Sequence, residues 1–287
     1  VDTLTYLRAD ALTPERVVEA FNHAFEGYFV PMTHTIDTLR SLIEVNDVSL
    51  AHSLIAVDED GHPGGIVLLA LRGARGWIAG MGLAPQWRGR DQAAPLMRAA
   101  LAEASALGLA SVALEVLAQN TPARRLYTRL GFENVRPLAV FTGPLADDAA
   151  AVDVRLPSVE RAVERALADF AALHQTPPPW QRELAALTHM APSLRALALM
   201  DGETIRASLI HMPSGLGYSI MDCGSRAATP AARRDDTIAL IRALVAAMPG
   251  APVRAINVPP GDALGDALVA LGCPTPHTQW EMKLTLE

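Results

Sequence analysis

The segment Gly82-Leu83-Ala84-Pro85-Gln86-Trp87-Arg88-Gly89-Arg90-Asp91-Gln92-Ala93 lies between an apolar strand pattern and a long helical one. A glycine-containing turn that feeds a helix start leaves backbone N–H groups unpaired at the positive end of the helix dipole. Such a turn is a cradle for a pyrophosphate, and Arg88 and Arg90 add positive charge beside it. The same residues also fit an ordinary strand–helix turn with exposed arginines, and this segment alone does not choose between the two. A second cluster follows. Leu114-Glu115-Val116 reads as strand, and the segment from Asn120-Thr121-Pro122-Ala123 to Leu130-Gly131-Phe132 as a helix and its end. Taken alone, Tyr127 on that amphipathic helix is a core or rim aromatic and Gly131 a helix C-cap.

Together the two blocks resemble the motifs of the GNAT (Gcn5-related N-acetyltransferase) superfamily. The first motif runs strand, proline, then Arg/Gln-x-x-Gly-x-Gly/Ala opening a helix, and that spacing falls on Arg88, Asp91 and Ala93. The resemblance implies that the amides of Gly89, Arg90, Asp91, Gln92 and Ala93 hold the pyrophosphate of acetyl-CoA. It also implies that the main chain of Leu83 pairs with the pantetheine arm. Asp91 departs from the motif, standing where the family has glycine. A carboxylate suits a helix N-terminus but repels a phosphate unless it points away. The second block is similar to the family's Asn, then a helix with Ala and Leu-Tyr, then Leu-Gly-Phe, here Asn120, Ala123, Leu126-Tyr127 and Leu130-Gly131-Phe132. It is nearest to the branch of ribosomal-protein N-terminal alanine acetyltransferases. The likeness spans about residues 1–145 and is strong over 77–132.

The implied reaction carries acetyl from acetyl-CoA, a co-substrate, to a primary amine of a small molecule or a peptide N-terminus, without a metal. It needs deprotonation of the amine, stabilisation of an oxyanion and protonation of the leaving thiolate. The resemblance gives Tyr127 the role of acid and Glu115 that of base, directly or through water. Glu115 reads equally as a strand glutamate paired with Arg124 or Arg136. A backbone N–H from Met81–Leu83 is implied to polarise the thioester carbonyl. No cysteine lies near either block, which favours direct attack over an acyl-enzyme. The first two helices of the fold flank the acceptor groove, so Phe25, Glu26, Tyr28, Phe29, Pro31 and Met32 are candidates by element position. Aromatics there fit plain packing equally well, and His23 and His34 read as solvated as readily as catalytic.

The elements that position these residues follow from periodicity. Residues 13–25 read as a helix with Thr13 as N-cap and Pro14 at N1, and 35–45 as a second. Ser53–Val57 and Gly65–Leu71 read as strands joined by Asp58-Glu59-Asp60-Gly61, and Trp77–Leu83 as a third. Then come a helix over 92–107 ended by Gly108, a strand Ser111–Leu117, a helix over 121–130 and a strand over 135–142. After a linker at 147–151 the order recurs. Helices at 158–173 and 180–190 precede strands at 194–200, 204–211 and 216–222. A helix at 232–247, a strand at 253–258, a helix at 262–271 and a strand near 278–286 complete it.

The expected fold is α/β with mixed sheets, as two tandem GNAT-like domains, 1–146 catalytic and 152–287 a degenerate copy. Gly61 matches Gly202, Leu130-Gly131-Phe132 matches Leu271-Gly272-Cys273, and Arg90-Asp91 matches Arg234-Asp235. At the repeat offset Tyr127 becomes Leu268, Glu115 becomes Ile256 and Asn120 becomes Gly261. The loop Thr229-Pro230-Ala231-Ala232-Arg233-Arg234-Asp235-Asp236 has no glycine, and Pro230 supplies no N–H. The second copy is therefore expected to bind no CoA.

Composition bounds the rest. The 287 residues are 50% hydrophobic and 19% charged, which is a globular balance. The net charge of −7 argues against nucleic acid. Lys283 is the only lysine. No apolar run is long enough to cross a bilayer and no signal segment is evident, so the expectation is a cytoplasmic protein without membrane contact. Cys223 and Cys273 read as buried free thiols. A synthase like that of mycothiol formation, which also joins two GNAT domains, and a non-catalytic acyl-CoA-binding protein are the alternatives. Nothing in the sequence speaks to oligomeric state.

Overall fold

The computed structural model describes residues 4–146, 159–215 and 217–286, and the expected linker at 147–151 lies outside them. The chain divides into two compact units. Unit 1 is Val1–Val135 with Glu281–Glu287, and unit 2 is Arg136–Trp280. The contiguous division at 146/152 read from the sequence differs from this, because each unit takes one strand from the other half of the chain.

Unit 1 begins with β1 (Thr5–Arg8), α1 (Pro14–Ala24) and α2 (Ile36–Val45). The antiparallel run β2 (Leu54–Val57), β3 (Pro63–Arg72) and β4 (Arg75–Leu83) follows, then α3 (Ala93–Ala106), β5 (Ser111–Leu117) and α4 (Thr121–Arg129). Its sheet has the order β1-β2-β3-β4-β5, and the end of β11 (His277–Thr285) closes it. Leu286 N–H donates to the Ala110 carbonyl at 3.0 Å, which fixes that last segment. β1 is short and mostly exposed, so it carries no apolar alternation and escapes a pattern reading.

Unit 2 contains most of β6 (Glu133–Gly143), α5 (Val159–Ala168), α6 (Phe170–Leu173) and α7 (Leu184–Met190). It continues with β7 (Arg195–Asp201), β8 (Thr204–Ser214), β9 (Gly217–Ser225), α8 (Pro230–Ala246), β10 (Val253–Val258) and α9 (Ala263–Ala270). Its sheet order is β7-β8-β9-β10-β6. The helix read over 158–173 is broken at Asp169 into α5 and α6, and the one over 180–190 opens with a 3-10 turn at Trp180–Arg182.

The feature that shapes the site is in unit 1. β4 and β5 pair in parallel only at Arg75–Ser111, Gly76–Val112 and Trp77–Ala113. The β3–β4 register then shifts between Leu68–Gly80 and Leu69–Ile78, which leaves Ala79 as a bulged residue. A bulge bends its strand and ends local pairing. β4 therefore runs on to Leu83 and β5 to Leu117 without a shared ladder. Past the bulge, Gly80 and Gly82 face α1. A Cβ on Gly82 would stand 2.8 Å from the Ala24 carbonyl oxygen, and one on Gly80 3.2 Å from the Phe21 ring. Glycine at both places lets α1 lie directly on the strand.

The borrowed strand makes a testable demand on unit 1. Met282 on β11 is 1% exposed, so Met282→Ala should cost about 2–5 kcal/mol by lost burial and cavity formation. Hydrogen exchange should show β5 amides losing protection while β8 and β9 keep theirs. Unchanged β5 protection would mean that the end of β11 does not close unit 1.

Candidate active site

The loop after β4 has the geometry that an anion cradle needs. Pro85–Trp87 make a 3-10 turn, Arg88 is extended, and α3 begins at Ala93 with no side-chain cap from Gln92. Gly89 has φ +71 and Asp91 φ +55. Left-handed backbone followed by the right-handed Gln92 turns successive N–H groups to one side, which forms a nest. This explains the departure at Asp91. The loop demands a left-handed residue there, and aspartate is among the few side chains that adopt it readily. A Cβ on Gly89 would meet nothing within 4 Å, so the glycine serves the backbone angle and not a close contact. The α3 N-terminus, anchored below by buried Leu96, Met97 and Ala100, thus opens on a loop built to receive negative charge.

Arg88 does something other than the sequence suggests. Its Nε donates to the Leu83 carbonyl at 2.9 Å, and Nη2 to the carbonyls of Ala24 at 3.2 Å and Glu26 at 2.6 Å. The guanidinium is a clamp between the end of β4 and the end of α1, and it satisfies helix carbonyls that have no intrahelical partner. Arg90 is exposed, with its guanidinium 5.9 Å from the Trp87 ring centroid.

On α4, Asn120 is the N-cap and its Oδ1 accepts the Ala123 N–H at 3.3 Å. Its side chain also hydrogen-bonds the Tyr28 hydroxyl. Tyr127 is buried, with its hydroxyl 3.8 Å from Met81 Sδ on β4 and its ring 5.8 Å from Phe132. Burial, reinforced by the Tyr28 hydroxyl nearby, pushes its phenol pKa well above the ordinary value, so the proton is held throughout the neutral range. Burial raises Tyr28 as well, opposed by the Asn120 hydrogen bond. Tyr28, Asn120, Tyr127 and Met81 thus meet from three elements. Only the element position of Tyr28 hinted at this.

Glu115 is half-buried on β5 and its Oε2 accepts the Trp77 indole N–H at 2.7 Å. Trp77 sits at the last paired position of β4 and β5, so the carboxylate is oriented where the strands part. Sequence reasoning missed Trp77 because the pairing register, not spacing along the chain, brings it to Glu115.

The loop between α1 and α2 is closed by Asn22. Its amide donates to the His34 carbonyl at 2.9 Å and its Oδ1 accepts the His34 N–H at 2.8 Å. From Phe21 on α1 into the loop, Phe21, Phe25, Tyr28 and Phe29 form a chain of ring contacts with centroids 4.5, 5.5 and 5.4 Å apart. A cavity of about 460 Å³ lies here, with Phe25, Glu26, Tyr28, Pro31 and Met32 in its wall. Phe29 is not in that wall and is 52% exposed. The Glu26 carboxylate is exposed, 3.9 Å from His23 Nε2.

With this geometry in place, comparison with known families is decisive for the N-terminal region. Residues 15–132 match the Acetyltransferase (GNAT) family. Over those residues the chain has the sequence of a GNAT domain. Solved structures extend the likeness in fold to the whole chain. A tandem GNAT protein from the clavulanic acid biosynthesis pathway, solved without AcCoA, has 12% identity and a TM-score of 0.70, covering 99% of this chain and 98% of its own. A GCN5-related N-acetyltransferase from Sphaerobacter thermophilus has 14% identity and a TM-score of 0.68, covering 99% and 95%. A putative acetyltransferase from Pyrococcus horikoshii has 12% identity and a TM-score of 0.64, covering 100% and 90%. Comparison with curated protein sequences finds no match. Among the described residues no group of three or more His, Cys, Asp or Glu could hold a metal ion, and no helix is long and apolar enough to cross a membrane.

Unit 2 repeats the GNAT strand arrangement but fills the corresponding place. β9 and β10 pair in parallel at Tyr218–Val253 and Ser219–Arg254. β9 carries its own bulge at Met221, between Ile210–Asp222 and His211–Ile220. Here Arg182, 3% exposed, donates from Nε to the Met221 carbonyl at 3.3 Å, from Nη2 to Asp222 at 3.4 Å and from Nη1 to Asp262 at 3.2 Å. His174 Nε2 lies 3.0 Å from Asp222 and its Nδ1 2.7 Å from the Phe170 carbonyl. Burial works to lower the His174 pKa, but Asp222 and the Phe170 carbonyl outweigh it and hold it raised. The start of α8 is capped by Thr229, which accepts the Ala232 N–H at 3.2 Å. Cys223 and Cys273 are free and buried, and burial pushes the Cys273 thiol up to about 11.

This ion cluster should be costly to break. Arg182→Met leaves Asp222 buried with only His174, and removing one partner of a buried pair costs about 3–5 kcal/mol. Urea denaturation followed through β8–β9 amides measures it. A loss below about 1 kcal/mol would show that the guanidinium is not holding unit 2 together.

Proposed function

We propose that unit 1 is an acetyl-CoA-dependent N-acetyltransferase acting on a primary amine of a small molecule or a peptide N-terminus, and that unit 2 takes no cofactor. The observation that carries the reading is the junction of two things at the parting of β4 and β5. One is a left-handed, uncapped helix entry at Gly89–Ala93, and the other a buried, proton-holding phenol at Tyr127.

The residues fit the nucleotide. Backbone N–H groups from Gly89 to Ala93 would hold the pyrophosphate, and the Asp91 carboxylate, which is exposed, is free to turn to water. The outer half of β4, from Gly80 to Leu83, has no β5 ladder and offers main-chain groups to the pantetheine amides. Since the Leu83 carbonyl already accepts Arg88, its N–H is the group left for that pairing. Acetyl-CoA supplies an activated acyl group and a thiol leaving group. The chain's own residues do the rest. Tyr127 gives its proton to the departing sulfur, and Met81, whose sulfur accepts a hydrogen bond weakly, yields the hydroxyl readily to a better acceptor. Glu115, oriented by the Trp77 indole, takes the proton that the amine must lose, directly or through water. Asn120 ties the α4 cap to Tyr28 and so links the acceptor loop to the helix that carries the acid.

Tyr127→Phe keeps the ring contact with Phe132 and should lower kcat on the order of 10²-fold or more, with acetyl-CoA affinity little changed. Wild-type turnover in this variant would remove Tyr127 from the mechanism. Calorimetric titration and a thiol-release screen over an amine library provide both readouts. The same titration should give a stoichiometry near one per chain. Gly89→Pro, which cannot adopt positive φ and removes a donor, should abolish most acetyl-CoA binding with little change in the melting temperature of the ligand-free protein. A second saturable site that survives Gly89→Pro would overturn the assignment of one cofactor to unit 1.

A further inference from the structure

The acceptor's chemical class can be read from the wall of the cavity formed by the α1–α2 loop, an inference that rests on the amine acetyltransferase reading. At about 460 Å³ it is of the size that takes a small ligand and not a folded surface. Phe25, Tyr28, Val30, Pro31 and Met32 supply the apolar part of its wall, which is about half of it. Asn22, Thr33 and main chain add polarity without charge, and the one residue in the wall with a permanent charge is Glu26. His23 stands beside it, 3.9 Å from its carboxylate. No lysine or arginine is in that wall. Arg88, which reaches this loop from the end of β4, has its guanidinium committed to the carbonyls of Leu83, Ala24 and Glu26.

From this lining we infer that the acceptor is a primary amine with an aromatic or branched aliphatic body and no carboxylate or phosphate. An ammonium group approaching the site meets the Glu26 carboxylate and the faces of Phe25 and Tyr28, both attractive to a cation. The apolar body then replaces water against Val30, Pro31 and Met32. A carboxylate on the same body meets Glu26 with no lysine or arginine in the wall to answer it, and like charges brought together at a binding site cost affinity. Tyr28 belongs both to this wall and, through Asn120, to the neighbourhood of Tyr127. Tyr28 therefore links a body seated in the cavity to the residue that protonates the leaving group. The free α-carboxylate excludes ordinary amino acids as acceptors, while their decarboxylated counterparts remain.

Pairs that differ only in that group test the inference, with binding of tyramine against tyrosine and phenethylamine against phenylalanine measured on the full chain by ligand-observed NMR or calorimetry. The decarboxylated member of each pair should bind at least about tenfold tighter. Glu26→Arg should narrow or reverse that preference, and because the Glu26 side chain is 66% exposed the substitution leaves the fold intact. Equal or tighter binding of the amino acids, or no binding by either member, overturns the inference. An acetyl-CoA titration of the same protein separates the two readings. If acetyl-CoA binds and the amine preference is absent, only the acceptor class falls. If the preference is present and acetyl-CoA does not bind, the transfer reaction falls and the cavity's selectivity stands.

Discussion

The parallel ladder between β4 and β5 lasts three residue pairs and stops, and the candidate active site is organised around that stop. A strand inside a sheet satisfies its N–H and C=O groups with its neighbours, and a central strand that loses a neighbour must find other partners. The bulge at Ala79 bends β4 away and turns Gly80 and Gly82 toward α1, where the absence of a Cβ lets the helix rest on the strand. The parting then opens between a helix entry rich in backbone donors and a helix that carries a buried phenol. Trp77, on the last paired rung, orients Glu115 at the same place. The bulge, the two glycines, the indole and the two helix starts are one arrangement whose parts would have no reason to coincide in a closed sheet.

Unit 2 shows the other solution to the same constraint. Its β9 bulges at Met221 and parts from β10 in the same sense, but the chain supplies its own partner. The Arg182 guanidinium bonds the bulge carbonyl and two carboxylates, and His174 completes the charge balance on Asp222. A buried guanidinium needs acceptors to be tolerated, and each of the three nitrogens of Arg182 donates to one. A phosphate or an acyl chain entering there would have to displace an internal ion network. The network thus supports the proposal that unit 2 takes no cofactor more directly than missing motif residues do.

Much of this was legible in the residues. The loop from Pro85 to Ala93 and the segment from Asn120 to Phe132 are local motifs, and local motifs survive translation into sequence pattern because their geometry is set by neighbours along the chain. The left-handed backbone at Asp91 explains why a motif position usually held by glycine can pass to aspartate. What remained hidden depends on register. The Glu115–Trp77 bond needs the β4–β5 pairing, the Arg88 clamp needs the approach of α1 to β4, and the Tyr28–Asn120 bond needs both. α5 and α6 hid a break at Asp169 that periodicity cannot see, since both pieces keep helical spacing across it.

The exchange of closing strands was the least visible feature, for a physical reason. β6 and β11 follow equivalent helices in the repeat, so each carries the alternation its own half would require and neither records which sheet it joins. The exchange has a consequence for function. Unit 1 holds the motif residues within its first 132 positions, yet its sheet is closed by Glu281–Thr285. The contact that completes it, between Leu286 and Ala110, spans more than half of the chain, and contacts of such sequence separation form slowly because loop closure must precede their reward. The parting of β4 and β5 lies beside that closing strand in the sheet order, so the site gains its final frame only when the second half has been threaded through. The second half of the chain then has a mechanical role whatever it binds, since without its last strand unit 1 has no closed edge on which to hold the gap open.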